Sequence, residues 1–345
     1  MKNRFPTRSA RPGFSLVELL VSMAVISILM LIFATMTDRT ASIWRSTRGK
    51  VSQFQQARDA FETITRNLSQ ATLNTYLDYY DKSGARRDQT NAASFEPGRY
   101  GRYSELRFRS GAAAAILQQP PAQTPGHALF FYAPLGETGI PTHGALHHLL
   151  NLTGYYITYG EDTERPSFLP LIPTYGFRLM ELKQRSESLV PLGGPERWPP
   201  DVAANPDAHI IARNIIAITF LPKLPGQGPA GDPSVDPTGS ALAPNYEFDS
   251  FTEGQGGLRK ELSSQHQLPP IVEVTMVAID DASAERIGGS SEPPDLGLAD
   301  LFQNADAEIR KADLETLLKN LRAKQLNARV FTTQVSLKSA KWSRE

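Results

Sequence analysis

The sequence predicts an α+β protein: a long N-terminal helix packed on an antiparallel β-sheet head, with an extra helix before the last strand. Three observations carry this. Residues 14–48 contain neither proline nor glycine, so nothing interrupts a helix there. Val51, Phe54, Ala57, Phe61, Ile64, Leu68 and Ala71 then recur at spacings of three and four, which puts them on one face of a helix. After Tyr80, short runs rich in Val, Ile, Phe, Tyr and Thr alternate with Pro, Gly and Asp. No βαβ rhythm appears, so the sheet is expected to be antiparallel, its apolar face laid on the amphipathic half of the helix.

The chain starts with a basic leader, residues 1–13, holding Lys2, Arg4, Arg8 and Arg11 and no acid. Residues 14–36 follow as a membrane helix, with only Ser15, Glu18, Ser22 and Ser27 interrupting the first 20 apolar positions. This run is longer than the roughly 7–15 apolar residues of an ordinary secretory signal. The four basic residues before it should stay cytoplasmic, which sends the bulk of the chain across the membrane. Residues 37–80 are expected to continue the helix in amphipathic form, with Gly49 as its weak point and Glu62–Arg66 as a favourable pair one turn apart. Trp44 falls where an interfacial anchor belongs.

The head, residues 81–345, should hold strands near 105–109, 128–133, 155–159, 175–182, 215–221, 271–280 and 329–337. Val272, Val274 and Met276 alternate with Glu273 and Thr275, a pattern for a sheet with one wet face. Three Pro-rich loops separate these runs, at 118–126, 190–206 and 222–244; the last has six prolines and four glycines in 23 residues. A second helix is expected from Leu298 to about Asn327, with Leu301, Ile309, Leu314, Leu317, Leu318 and Leu321 on its apolar face. Asp295 or Asp300 would cap it, and Asp280-Asp281 would end a strand. There is no internal repeat.

Composition narrows the function. With 345 residues the chain can bury one large core or two small ones. Its 36 basic and 36 acidic residues cancel, so the charge balance does not suggest a nucleic-acid surface. No cysteine is present, which removes disulfides, thiolate catalysis and Cys-based zinc sites. There is no GxSxG elbow, no SxxK and no GxxxxGK[ST] loop, so the sequence gives no ground for an enzyme and calls for no cofactor. His143, His147 and His148 cluster, but Gly144 and the loop-like surroundings suit plain surface histidines better than zinc ligands. Asp232, Asp236, Asp249 and Glu253 lie in or near the third loop without the ligand spacing of a calcium loop, and no metal site is assigned.

The most specific signal is Gly13-Phe14-Ser15-Leu16-Val17-Glu18. A carboxylate inside a membrane helix costs roughly 2.5–3.5 kcal/mol at the centre and less near the end, so Glu18 is expected to have a use. A Gly-Phe bond with Glu at the fifth position after it resembles the type IV prepilin signal of pilins and type II secretion pseudopilins. The resemblance implies cleavage after Gly13 by a prepilin peptidase and N-methylation of Phe14. Ordinary cleavage after Ala34 and an uncleaved anchor are the competing readings.

Further on, Arg58-Asp59, Tyr155-Tyr156-Ile157, Phe177-Arg178-Leu179, Ala212-Arg213-Asn214-Ile215-Ile216 and Leu268-Pro269-Pro270-Ile271-Val272-Glu273-Val274 occur in an order similar to the J-type minor pseudopilins. The chain departs from them in the long third loop and the extra helix. Ala328-Arg329-Val330-Phe331-Thr332-Thr333, followed by Ala340-Lys341-Trp342-Ser343, resembles the pilin-like cassette protein C family of Verrucomicrobia.

These resemblances imply a pilin-like minor pseudopilin of a type II secretion or type IV pilus-like system. It would be a single-pass inner-membrane subunit with a periplasmic head. Its partners would be the peptidase, other pseudopilins or pilins, an inner-membrane assembly platform and the lipid bilayer, with no nucleic acid. After cleavage, Glu18 would offset a neighbour's N-terminal cation; two unit charges 4 Å apart attract by about 4 kcal/mol at an effective dielectric of 20. The simpler alternative is a Glu18 that only snorkels to the interface. Rival functions are a surface-displayed minor pilin for adhesion or DNA uptake, and a membrane-anchored periplasmic enzyme.

Overall fold

The computed structural model describes residues 15–88, 90–161, 174–189, 205–227, 235–252 and 264–342. The Gly13–Phe14 bond, most of the 190–206 loop, part of the 222–244 loop, Asp232 and Glu253 lie outside the described residues. Two compact units divide the chain, Met1–Val51 and Ser52–Glu345. Helix α1 (Leu16–Leu68) is 53 residues long, and Gly49 lies within it. Its N-terminal stretch belongs to the first unit and is described with the candidate site below.

In the second unit, the helix buries the face that the spacing predicts. Ala57, Ala60, Phe61, Ile64 and Leu68 are all buried, as is Ala71 just beyond. On the exposed face Glu62 pairs with Arg58 one turn back, at 2.8 Å, rather than forming the Arg66 pair expected from sequence. The helix ends at Leu68, where the Lys338 N–H bonds the Ser69 carbonyl at 3.1 Å and Thr72 N–H reaches Tyr132 of a strand at 2.8 Å.

The strands follow as β1 (Tyr76–Tyr80), β2 (Arg99–Tyr103) and β3 (Arg109–Ala112), then the short helix α2 (Ala113–Leu117) and β4 (His127–Pro134). After these come β5 (Leu150–Glu161), β6 (Tyr175–Gln184), β7 (Ala208–Arg213), β8 (Ile215–Lys223), β9 (Phe248–Asp249) and β10 (Ile271–Ile279). The chain closes with α3 (Asp281–Ile287), α4 (Ala307–Ala323) and β11 (Ala328–Ser336). Every pairing is antiparallel, which agrees with the expected α+β class.

The expected single sheet is instead three: six strands in the order β7-β6-β5-β4-β3-β9, three in the order β11-β10-β8, and the ribbon β1-β2. Helix α1 touches both larger sheets, because Phe61 packs on Phe331 of β11 at 5.8 Å and Asn67 bonds Tyr155 of β5 at 2.9 Å.

Layering explains why β4 is apolar on both faces rather than alternating. In β4, Leu129, Phe131 and Ala133 face the main core with α1 and β10. Ala128, Phe130 and Tyr132 face a second cluster with Ile116 of α2 and Tyr156. A strand covered on both faces has no wet side to advertise. Gly154 of β5 pairs opposite Phe130 because nothing larger fits: a Cβ there would meet the Phe130 ring at 2.2 Å.

Several sequence expectations need correction. The strand predicted at 105–109 begins only at Arg109. The Asn74 side chain accepts from the N–H groups of Glu105 (3.1 Å) and Leu106 (3.4 Å), taking donors that a ladder would use. The late helix starts at Ala307, not near Leu298, because Gly297 (φ 68°) and Phe302 (φ 60°) are left-handed and cannot belong to a right-handed helix. Asp306 is its cap, accepting from Glu308 N–H at 3.0 Å, in place of Asp295 or Asp300. Ile309 is exposed, while Leu317 and Leu321 are buried.

Asp280 does more than end a strand. It caps α3 through Ser283 N–H at 2.9 Å and accepts from the Asn327 amide at 3.0 Å. The wet face expected on β10 is also covered in part: Glu273 is held by Lys223 at 3.0 Å and by Arg310 of α4.

Candidate functional site: the N-terminal anchor

Helix α1 opens with a reciprocal cap. Ser15 N–H donates to Glu18 Oε2 at 3.0 Å, and Glu18 N–H donates to Ser15 Oγ at 3.2 Å. This is the S-x-x-E capping box, in which two otherwise unsatisfied donors at a helix start are met by each other's side chains. Glu18 also lies in the first turn, where the helix dipole favours a negative charge. Thus the one predicted site residue that is described, Glu18, has a local role that the sequence analysis did not assign. The signal was legible as Ser15 three residues before Glu18.

From Leu16 to Ala41 the helix is long and apolar enough to cross a membrane, with a mean hydropathy of 2.7 and none of that stretch buried. Its polar side chains are arranged for such surroundings. The hydroxyls of Ser22, Ser27, Thr35, Thr37 and Thr40 donate at 2.8–2.9 Å to carbonyls three or four residues back. In hydrocarbon, where no water can serve, every polar group needs an internal partner. Trp44, three residues beyond Ala41, is 70% exposed, in the position expected of an interfacial ring.

The head supplies buried polar groups that are held by each other. Glu181 of β6 is buried and accepts from Tyr155 OH at 2.5 Å and Asn67 Nδ2 at 3.3 Å, with His209 Nε2 at 3.0 Å and Lys183 at 3.6 Å. Burial pushes its pKa up, but His209, Tyr155 and Lys183 outweigh burial and hold it below the usual carboxylate value. The hydrogen bond that His209 donates to Glu181 in turn raises the pKa of His209. Through Asn67 this network pins the end of α1 to the six-stranded sheet.

Asp249, one of the acids considered for calcium, is instead ion-paired with Arg107 and lies 3.8 Å from Arg109. Asp236 accepts from Thr238 N–H at 2.9 Å and Ala241 N–H at 2.7 Å, ordering its own loop. His143, His147 and His148 are exposed. No group of three or more His, Cys, Asp or Glu able to hold a metal occurs among the described residues.

Against this geometry the comparisons are informative at one end of the chain. The family model described as the prokaryotic N-terminal methylation motif matches residues 8–34. That stretch contains Gly13, Phe14 and Glu18 and runs into the bare apolar helix. No curated protein and no solved structure matches the chain.

The class is therefore set by the N-terminal segment: a type IV pilin-like prepilin signal on an apolar helix that suits a single-pass anchor. A signal of this kind implies processing by a prepilin peptidase and assembly with pilins.

Proposed function

We propose that this chain is a minor pseudopilin, a structural subunit of a type II secretion or type IV pilus-like assembly that catalyses nothing itself. The observation that carries the reading is the methylation motif on an unburied apolar helix that leads into a large α+β head. In this reading the peptidase cuts after Gly13, Phe14 is methylated, and the head lies on the periplasmic side. The order of head segments that resembles J-type pseudopilins, and the C-terminal resemblance to the cassette protein C family, favour a minor component.

Intact mass and N-terminal sequencing of membrane-extracted protein, with and without the peptidase, test this directly. The expected product starts at Phe14, carries added methyl mass and forms only when the peptidase is present. A start at Met1 or Thr35 would overturn the reading.

Glu18 gives a second, independent test. One of its carboxylate oxygens caps the helix, and the other is suited to a neighbour's N-terminal ammonium. Glu18→Ala removes both roles, whereas Glu18→Gln keeps an oxygen for the capping box and loses the charge. Both variants are expected to insert and be cleaved. Both should also lose co-purification with partner pilins by at least about tenfold, the scale of a charge pair of a few kcal/mol. Normal assembly of Glu18→Gln would reduce Glu18 to a helix cap.

A further inference from the structure

The ribbon β1-β2 forms one wall of a cleft of about 710 Å³, closed by the 266–268 segment and by the chain that follows β11. Arg99, Arg102, Lys338 and Lys341 line it, and no carboxylate does among the described residues. Lys338 and Lys341 are exposed and form no ion pair among the described residues; Arg99 lies over the Tyr80 ring at 4.6 Å.

Deeper in the cleft is His266, which is only 5% exposed and whose Nδ1 has no hydrogen-bond partner. Its position is fixed from several sides. Its N–H bonds the Ser250 carbonyl at 2.6 Å, and its carbonyl accepts from Thr75 at 3.0 Å. Its ring packs between Tyr103 at 5.0 Å and Phe251 at 5.6 Å. Burial lowers its pKa to about 4, and the guanidinium groups of Arg102 and Arg86 push the same way.

We infer that this cleft docks an extended acidic peptide segment of a partner protein, with its carboxylates on Lys338, Lys341 and Arg99 and a polar group on His266. Charge complementarity selects an anion: Lys338, Lys341 and Arg99 present three cations to one concave space, and a negative group entering it offsets their mutual repulsion. The fold then favours a peptide over a nucleic acid. The ribbon has only two strands, and β2 has no strand on its outer edge among the described residues, so its main chain can pair with an added strand. Single-stranded nucleic acid needs open aromatic faces on which bases stack. Here Tyr76 packs edge-on against Tyr103 at 5.6 Å and Tyr100 is tilted against Tyr79 at 5.0 Å; part of both cleft tyrosines stays exposed, and a DNA probe separates the two occupants. This inference concerns the head alone and does not depend on how the leader is processed.

The test uses the full chain in neutral detergent and fluorescence anisotropy of three labelled probes: an alternating Glu-Ser decapeptide, its Gln-for-Glu counterpart, and a single-stranded DNA decamer. The acidic peptide is expected to bind at about 50 mM salt, to weaken sharply at about 500 mM, and to bind more tightly than the other two. Lys338→Glu with Lys341→Glu should weaken it by about tenfold, the scale for reversing two exposed charges. Lys311→Glu with Lys319→Glu, exposed on α4, should leave it unchanged. Tighter binding of the DNA, equal binding of the Gln peptide, or indifference to the Lys338 and Lys341 reversals would each overturn the proposal.

Discussion

Asp249→Ala is expected to destabilise the head by about 3–5 kcal/mol, the cost of breaking a buried ion pair from one side. The Arg107 and Asp249 side chains are only 6% and 8% exposed. Arg107 Nε donates to Asp249 Oδ1 at 2.8 Å, and a second contact makes the pair bidentate. Asp249 also accepts the Phe251 N–H at 3.0 Å. Removing the carboxylate takes the bidentate acceptor from the buried Arg107 guanidinium and the nearby anion from Arg109.

Such a loss is a large share of the roughly 5–15 kcal/mol that holds an ordinary domain folded. Urea unfolding of the full chain in detergent, followed by fluorescence, measures it. Asp249→Asn, which keeps an acceptor, should cost less than Asp249→Ala. Replacing Arg107 and Asp249 together by apolar residues should recover much of the loss, since a buried pair is roughly neutral against a hydrophobic equivalent. A cost below about 1 kcal/mol for Asp249→Ala would show that water reaches the pair.

The second large effect is loss of stability in mild acid. His127 is buried, with Nε2 at 3.1 Å from the Phe302 carbonyl. Burial lowers its pKa to about 4, against a partial opposing pull from that carbonyl, and His266 is likewise lowered to about 4. In the unfolded chain both titrate near 6.5. Between these values the unfolded state binds more protons than the folded one, so stability is full above about pH 6.5 and falls as pH drops toward 4. Each histidine contributes on the order of 3 kcal/mol over that window.

His209 has the opposite sign. Its pKa is raised, so its contribution is present below about pH 6.5 and lost as pH rises through the folded value; it is half exposed and correspondingly small. The urea midpoint should therefore drop between pH 7 and pH 4.5. His127→Gln and His266→Gln should each flatten that slope. A midpoint that stays level over the same range would contradict the buried, neutral state of both rings.

The parts of this protein that could be read from its sequence are those set by neighbours along the chain. The S-x-x-E start, the unbroken apolar run and the three-and-four spacing from Ala57 to Leu68 each specify helix and face locally, and the structure keeps them. Strands β4, β5, β6, β8, β10 and β11 were legible because β-branched and aromatic residues suit a pleated surface. The weaker strands were not. The Tyr-Leu-Asp-Tyr-Tyr and Arg-Tyr-Gly-Arg-Tyr segments of β1 and β2 have no apolar alternation, and they form strands as rings pair across the ribbon and Arg99 lies over Tyr80.

Tertiary structure alone decided which distant residues meet. Arg107 and Asp249 are 142 positions apart, and Asn67 and Glu181 are 114 apart. The cleft gathers residues 72–77, 99–102, 266–268 and 338–341 from four separate stretches. No periodicity encodes such meetings, because they follow from how the two larger sheets pack on one helix. The anchor, whose chemistry is contained in about thirty consecutive residues, was therefore written in the order of the amino acids; the recognition surface of the head exists only once the layers have packed.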